Sequence, residues 1–158
     1  MGYLVDGNNV MAQRVGWHRD KRGARLRLLD ELARFAQARR ARVAVVFDGA
    51  PEPHFADGSS YKGVKIFYAE RGSNADERIK RLVDEARERR TLWVVTSDRQ
   101  LSAYTRRCGA QHLHAGEFRR RLEDVCAVTA DDAANNEQQM NAEELPDWMR
   151  YFGVEEDD

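Results

Sequence analysis

The sequence has few cysteines, few prolines and no long apolar run. Its 158 residues include two cysteines and three prolines. Two cysteines are too few for a disulfide framework or a four-ligand zinc site, which favours a reducing cytosol. No run of about 18 apolar residues occurs, and residues 1–5 lack a basic region and a cleavage site, so we expect neither secretion nor a membrane span. We therefore expect one globular, cytoplasmic protein.

Several catalytic motifs are also missing. The sequence has no GxxxxGK(S/T) phosphate loop, no GxGxxG after the first apolar segment and no GxSxG elbow. These absences argue against P-loop nucleotide hydrolysis, dinucleotide redox chemistry and serine hydrolysis. His112 and His114 fall on one face of a predicted strand, but no partner ligands lie nearby in the sequence.

Charge is distributed unevenly along the chain. The net charge of −1 is the sum of +8 over residues 1–125 and −9 over residues 126–158. A basic body favours a polyanionic partner such as RNA, because phosphates release condensed counterions when Lys and Arg bind them; a solvated Arg-rich surface is the alternative. We predict a folded domain over residues 1–126, followed over residues 127–158 by an acidic linker and an aromatic C-terminal segment.

Short apolar runs alternate with helical patterns through the first 125 residues. This order predicts an α/β fold in which a mainly parallel sheet carries helices on both faces. The predicted strands are centred on residues 3–5, 43–47, 64–68, 92–96 and 112–114. In such sheets ligands bind beyond the carboxyl ends of the strands, near the point where strand order reverses.

Three aspartates stand at the ends of predicted strands. Asp6 follows the first strand, Asp48 the second, and Asp98 comes just after residues 92–96. Each also fits a turn or a helix start, but parallel strands bring all three to one edge. Crowded carboxylates repel one another unless a cation neutralises them, and their hard oxygen atoms suit Mg²⁺ or Mn²⁺.

A fourth acid is selected by helical geometry. Asp76 and Glu77 both precede the apolar stripe of the helix that contains Ile79. At about 100° per residue, Asp76 lies roughly 70° from the centre of that stripe, whereas Glu77 lies roughly 170° away. We therefore expect Asp76 to face the strand ends and Glu77 to face solvent, although Asn74 and Glu77 also match a capping box.

Two loops mix basic residues with aromatic rings. Residues 13–23 contain Trp17 among several arginines, and residues 50–63 end near Tyr61 and Lys62. Such loops suit single-stranded nucleic acid, because rings stack on bases while cations follow the backbone. Ordinary surface loops have a similar composition.

At this point the sequence resembles a known family, the YacP-like NYN domains of the PIN-like nuclease group. Four segments carry the resemblance, which covers roughly residues 3–125. They are Leu4-Val5-Asp6-Gly7-Asn8-Asn9, Val45-Val46-Phe47-Asp48, Lys65-Ile66-Phe67 leading to Asn74-Ala75-Asp76-Glu77-Arg78-Ile79, and Val94-Val95-Thr96-Ser97-Asp98. The resemblance implies a PIN-like three-layer α/β/α fold and metal-dependent endoribonuclease activity, with relatives that cleave mRNA on the ribosome.

The resemblance also implies roles for individual residues. Asp6, Asp76 and Asp98 would be the catalytic, metal-binding acids, with Asp48 as a further ligand and Asn8, Ser97 and Glu77 as polar support. One or two Mg²⁺ or Mn²⁺ ions would then assist hydrolysis of single-stranded RNA. Flanking phosphates would contact Arg99, Lys62, Lys65 and Arg71. A non-catalytic RNA- or ribosome-binding module and a DNA nuclease are the alternatives.

Overall fold

Six strands form a single sheet in the computed structural model, which describes residues 1–69 and 73–136 and side chains as far as residue 127. The order across the sheet is β3-β4-β2-β1-β5-β6, and only β3 runs antiparallel to its neighbour. The strands are β1 (Gly2–Asp6), β2 (Arg42–Phe47), β3 (Ser60–Tyr61), β4 (Val64–Tyr68), β5 (Leu92–Val95) and β6 (Gln111–Leu113). The mainly parallel sheet is therefore confirmed, and β3 is an addition to the five predicted strands.

Five α-helices and one 3₁₀ helix accompany the sheet in the described part of the chain. They are α1 (Gly7–Met11), a 3₁₀ helix (Trp17–Arg19), α2 (Lys21–Arg39), α3 (Ala75–Glu85), α4 (Arg99–Arg107) and α5 (Ala115–Asn136). Asp6 precedes the start of α1 rather than a turn. Much of the predicted loop over residues 13–23 is also helical.

The sheet has a hydrophobic core on each face. One core joins Val5 and Val45 to α1, α2 and the first turns of α5, with Phe35 and Phe118 at its centre. The other joins Leu4 and Val46 to α3 and α4. The α/β/α layering is thus confirmed, and it follows from strands whose alternate side chains are apolar on both faces.

Local signals fix where the helices begin. Asp20 caps α2 by accepting from Gly23 N at 3.0 Å, and Asn74 caps α3 by accepting from Glu77 N at 3.0 Å. Gly7 allows α1 to lie against β2, because a Cβ atom at this position would stand 2.6 Å from the Phe47 ring. Any other residue would push α1 and the neighbouring Asp6 away from the sheet.

The helix α5 continues past the change in composition at residue 126. Its backbone is helical to Asn136, and residues Met1–Val125 form a compact unit by themselves. The rest of the predicted tail, including the aromatic segment at residues 145–152, lies outside the described residues. The boundary at residue 126 stays a prediction. Within the described ranges, no helix has the length and apolar character needed to cross a bilayer.

Candidate active site

The candidate site lies where the strand order reverses. The chain passes from β1 to β2 on one side and later to β5 on the other, so β1 and β5 flank the switch point. Asp6 ends β1, and Asp98 follows β5 at the same edge of the sheet. Parallel α/β sheets bind ligands at this kind of position.

Asp6 is a buried carboxyl group. Its exposed fraction is 1%, and its Oδ1 and Oδ2 atoms accept from Asn9 N at 3.5 Å and Thr96 Oγ1 at 3.3 Å. The pKa of Asp6 is raised from 3.8 to about 7, first by burial and then by the charges of Asp76 and Asp48, while the two hydrogen bonds act in the opposite direction. Asp6 therefore lies among other acids in a place that disfavours its charge.

Asp76 and Asp98 form a carboxyl pair. Burial, a hydrogen bond with Asp98 and the charges of Asp98 and Asp48 raise the pKa of Asp76 to about 6. The pKa of Asp98 is lowered, first by the hydrogen bond from Leu101 N (3.1 Å); its Oδ1 atom also accepts from Gln100 N (2.8 Å). The two carboxyl groups therefore lie side by side, and the opposite shifts in their pKa mean that Asp98 ionises before Asp76.

Asp48 is exposed, and hydrogen bonds to neighbouring residues hold it in place. Its Oδ1 atom accepts from Ala75 N at 2.8 Å, which ties the end of β2 to the start of α3. Its backbone N–H donates to Asn8 Oδ1 at 3.0 Å. Asn8 thus positions the Asp48 backbone, and Asp48 in turn positions the helix that carries Asp76.

Asn9 bridges the switch point and was missed by sequence reasoning. Its Oδ1 atom accepts from Ser97 N at 2.9 Å and from Ser97 Oγ, and it lies 3.3 Å from Thr96 Oγ1. Thr96 Oγ1 in turn accepts from Asp98 N at 3.1 Å. Asn9 therefore links α1 to the turn that carries Asp98, and its presence beside Asp6 in the first helical turn was the available signal.

Arg25 holds the loop after β2 and was also missed. Its guanidinium group donates to Asp48 O, to Ala50 O at 2.9 Å and to Glu52 Oε1 at 3.0 Å. It lies over the rings of Phe47 and Tyr68, at 5.2 and 5.6 Å from their centroids. No local sequence pattern marks this arginine, since its partners are more than 20 residues away.

The predicted polar and basic residues are divided between the two ends of the sheet. Glu77 is exposed and lies 3.7 Å from Lys80, and Arg99 is exposed beside Asp98. Lys65 lies near the amino end of β4, where it pairs with Ala44, which pairs with Leu4, and Lys62 lies in the turn that precedes β4. They are not brought to the acids, because Lys65 is level with Leu4, two residues and about 7 Å before Asp6. Arg71 lies outside the described residues.

The donor chemistry of the four aspartates fits a hard divalent cation. They supply carboxylate oxygen atoms, and burial together with the neighbouring negative charges raises the pKa of two of them. Their placement is not that of a closed coordination sphere. Among residues 1–69 and 73–136, no three His, Cys, Asp or Glu side chains form a group that could hold a metal ion.

A three-layer α/β/α fold with acids gathered at the carboxyl edge of a parallel sheet places this protein in the PIN-like class of nuclease folds. Within that class, residues 3–150 match the YacP-like NYN domain family, and the chain belongs to that family. This match confirms the resemblance found in the sequence. The family is associated with nuclease activity, and nucleases of this class generally use divalent metal ions.

Two crystal structures are similar to this chain. One is Rae1 (YacP) from Bacillus subtilis, with a TM-score of 0.63 and 23% sequence identity over 96% of this chain and 94% of that chain. The other is its W164L mutant, with a TM-score of 0.70 and 23% identity over 90% and 87% of the two chains. At this identity the likeness establishes the fold alone. No curated protein matches the sequence.

Proposed function

We propose that the protein is a metal-dependent endoribonuclease that hydrolyses phosphodiester bonds of single-stranded RNA, with mRNA on the ribosome as its setting. The observation that carries the proposal is the raised pKa of Asp6 and Asp76, which lie near Asp48 and Asp98 at the switch point of the sheet. Carboxyl groups with such a shifted pKa mark candidate functional sites. Membership of a family associated with nuclease activity supports the same conclusion.

Asp6, Asp76 and Asp98 would hold Mg²⁺ or Mn²⁺, with Asp48 as a further ligand. A bound ion supplies neutralising charge to the scissile phosphate and lowers the pKa of water. Asp76 and Asp98 place two carboxyl groups side by side, and a cation bound there would offset their mutual repulsion. By resemblance to the family, the products carry a 5′-phosphate and a 3′-hydroxyl.

The protein's own side chains would position these acids and the substrate. Asp98 is held in place by the two N–H groups at the start of α4, and its backbone by Thr96. Arg99 is exposed beside Asp98 and would contact a flanking phosphate.

One assay separates the proposal from its alternatives. Labelled single-stranded RNA and DNA of the same sequence are incubated with the purified chain and Mg²⁺, Mn²⁺ or EDTA. We expect the RNA to be cut in either metal and to stay intact in EDTA. Equal cutting of DNA would point to a DNA nuclease, and cutting in EDTA would exclude the metal requirement.

A non-catalytic RNA-binding module is the second candidate. It is favoured by the absence, among the described residues, of three side chains grouped to chelate an ion. This alternative predicts RNA binding that weakens with salt, is indifferent to divalent metal and produces no cleavage.

Asn9→Ala should impair cleavage by loosening the link between α1 and the Asp98 turn. The variant leaves the Ser97 N–H and hydroxyl groups without their protein acceptor, whereas Thr96 Oγ1 can still donate to Asp6 Oδ2. The loss at Ser97 should lower the free energy of unfolding by about 1–2 kcal/mol. We expect the cleavage rate to fall by about tenfold or more, because misplacing reacting groups by 1 Å can cost about a hundredfold. Denaturant unfolding and single-turnover cleavage measure the two effects.

Gln13→Ala is the matched control for Asn9→Ala. Gln13 is exposed and reaches the Asn9 backbone carbonyl at only 3.5 Å, so its loss leaves the Asn9 side chain in place. A normal cleavage rate in Asn9→Ala would show that this bridge does not position the acids.

A further inference from the structure

Arginine is concentrated at the amino end of the sheet, opposite the four aspartates. The helices α2, α3 and α4 each end a few residues before β2, β5 and β6 begin. Because these strands are parallel, the three connections meet at one end of the sheet. We call residues 39–42, 87–92 and 106–111 together the arginine rim.

The arginine rim carries a large positive charge. It contains eight arginines, no lysine and one acid, Glu88. Asp84 and Glu85, in the last turn of α3, bring the acids at this end to three, and the net charge stays at +5. Seven of the arginines are exposed, and the eighth, Arg89, is half-buried and donates to Asp84 O at 2.9 Å.

Acids of the described residues do not neutralise the rim. Elsewhere in the domain, arginines that hold elements together pair with acids: Arg14 and Arg119 pair with Glu31, and Arg25 pairs with Glu52. By contrast, no rim arginine forms an ion pair within residues 1–69 and 73–127. The rim is therefore a cationic surface whose charge is left for a polyanionic partner.

The ends of helices account for only part of this charge. Helix C-termini favour cations, and Arg39, Arg106 and Arg107 lie in the last turns of α2 and α4. However, α3 has no basic residue in its last turn, and Arg42 belongs to a strand. The arginines of β2 and of residues 87–90 therefore need another explanation.

We propose that the arginine rim binds the phosphate backbone of a double-stranded RNA. The planar guanidinium group donates two parallel hydrogen bonds to a phosphate, and the release of counterions from a duplex favours binding. From β2 to β6 the rim crosses three strand spacings, or about 14 Å. A duplex carries about one phosphate charge for each 1.7 Å of its axis, so a segment of this width carries roughly eight.

A duplex fits the rim better than a single strand does. Proteins bind single-stranded RNA with aromatic rings that stack on its bases, and the rim contains no aromatic residue. The ring of Tyr104 lies 6.0 Å from the guanidinium of Arg107, but it is half-buried and its hydroxyl donates to Asp84. A duplex presents phosphates at fixed positions, so little ordering is needed when it meets arginines held at the end of a sheet.

An acidic protein surface is the alternative partner, because arginine binds carboxylates with the same pair of hydrogen bonds. Protein surfaces intersperse the two signs of charge, whereas a duplex presents one sign at high density. The density of positive charge at the rim therefore favours a nucleic acid. That the duplex is RNA rests on the proposed function.

The rim is separate from the candidate active site. β1 begins with Gly2 at the amino end and reaches Asp6 after four residue steps, or about 13 Å. Lys65, expected from the sequence to contact a flanking phosphate, lies toward the same end as the rim and extends this surface. A duplex held there leaves the four aspartates open to a single-stranded segment of RNA.

The test measures duplex binding without metal. A labelled RNA duplex of about 20 base pairs is titrated with the full chain in EDTA at salt concentrations from about 50 to 200 mM, and binding is followed by fluorescence anisotropy. One strand of the duplex alone, a DNA duplex of the same sequence and poly-L-glutamate are the comparison ligands. We expect the RNA duplex to bind about tenfold or more tightly than the single strand and poly-L-glutamate, and at least as tightly as the DNA duplex.

A triple variant locates the binding surface. Arg42→Gln, Arg90→Gln and Arg106→Gln together remove one exposed arginine from each rim segment. We expect duplex affinity at about 50 mM salt to fall by about tenfold or more. The slope of log K against log salt should become less steep by about three, because each phosphate contact contributes about one.

The matched control removes three exposed arginines outside the rim. Arg19→Gln, Arg27→Gln and Arg120→Gln together change the net charge by the same amount. This variant should change duplex affinity by less than about threefold and leave the salt slope nearly unchanged. Circular dichroism checks that both variants are folded. Equal loss of affinity in the two variants would spread binding over the whole basic surface and overturn the proposal.

The comparison ligands supply the other contrary results. A single strand that binds as tightly as the duplex would refute the duplex assignment. Equal binding of poly-L-glutamate would assign the rim to an acidic protein, and tighter binding of the DNA duplex would assign it to DNA. Each of these results overturns the proposal.

Two results separate this proposal from the proposed function. The rim variant should cut a short single-stranded RNA at the wild-type rate in Mg²⁺ or Mn²⁺, because its four aspartates are unchanged. A wild-type protein that binds the RNA duplex but cuts no RNA in either metal would contradict the nuclease and leave the rim standing. Cleavage of single-stranded RNA by a protein without a preference for the duplex would refute the rim and leave the nuclease standing.

Discussion

Replacing Asp6 by Asn is expected to abolish RNA cleavage while the protein stays folded. Asp6 is the most buried of the four acids and ends the central strand β1. Asparagine keeps the shape and can still accept from Asn9 N and donate to Thr96 Oγ1, but it removes a negative charge that a divalent cation needs. We expect the rate with Mg²⁺ or Mn²⁺ to fall by about a thousandfold or more, because such ions contribute several kcal/mol to hydrolysis.

The control for this variant is Asp124→Asn. Asp124 is exposed on α5. Replacing it by Asn removes one negative charge, as Asp6→Asn does, but leaves the switch point unchanged. Rates are measured by single-turnover cleavage, and circular dichroism checks the fold. An Asp6→Asn protein that cuts RNA at the wild-type rate would remove Asp6 from the active site and would leave the proposed nuclease mechanism without its central ligand.

The second large effect is expected in the stability of the metal-free protein. The pKa of Asp6 is raised from 3.8 to about 7 in the folded state. The folded protein then binds more protons than the unfolded chain between these values, so stability falls as pH rises through that window. Each pKa unit corresponds to about 1.4 kcal/mol, so ionising Asp6 lowers the free energy of unfolding by on the order of 4 kcal/mol by about pH 8.

Asp6→Asn removes this penalty. The variant should match the wild type near pH 4 and should be more stable by on the order of 4 kcal/mol near pH 8 in EDTA, as urea unfolding at both pH values will show. Adding Mg²⁺ or Mn²⁺ at the higher pH should stabilise the wild type, because an ion that binds the folded state shifts unfolding by mass action. The variant should respond less. Equal stability of the two proteins near pH 8 in EDTA would contradict the raised pKa.

The common location of the acids at the strand ends was predictable, because parallel strands all end at the same edge of a sheet. Once residues 3–5, 43–47 and 92–96 are interpreted as parallel strands, Asp6, Asp48 and Asp98 must share one edge of the sheet. Helical periodicity likewise predicted that Asp76 turns inward, and in the structure it contacts Asp98 while Glu77 is exposed. Both arguments need only local geometry.

The same geometry places two of the residues predicted to contact flanking phosphates away from the acids. Lys65 stands near the start of its strand, so a parallel sheet places it, and Lys62 before it, toward the end opposite the acids. These lysines were selected because they are basic, whereas the direction of the strand determines at which end of the sheet they lie. For Asn9, by contrast, sequence patterns were not sufficient. They show a polar residue one helical turn after Asp6, but they do not show its hydrogen bond to Ser97.

The sequence by itself determined the alternation of strands and helices, the three aspartates at the parallel edge and the inward direction of Asp76, because each depends on periodicity over a few neighbouring residues. The tertiary structure alone decided how deeply Asp6 is buried, which carboxyl groups lie side by side and which arginines contact Glu31. Arg119 contacts Glu31 across 88 residues of sequence and Arg25 contacts Asp48 across 23. Such pairings, and the local dielectric that sets each pKa, arise only when distant segments pack together.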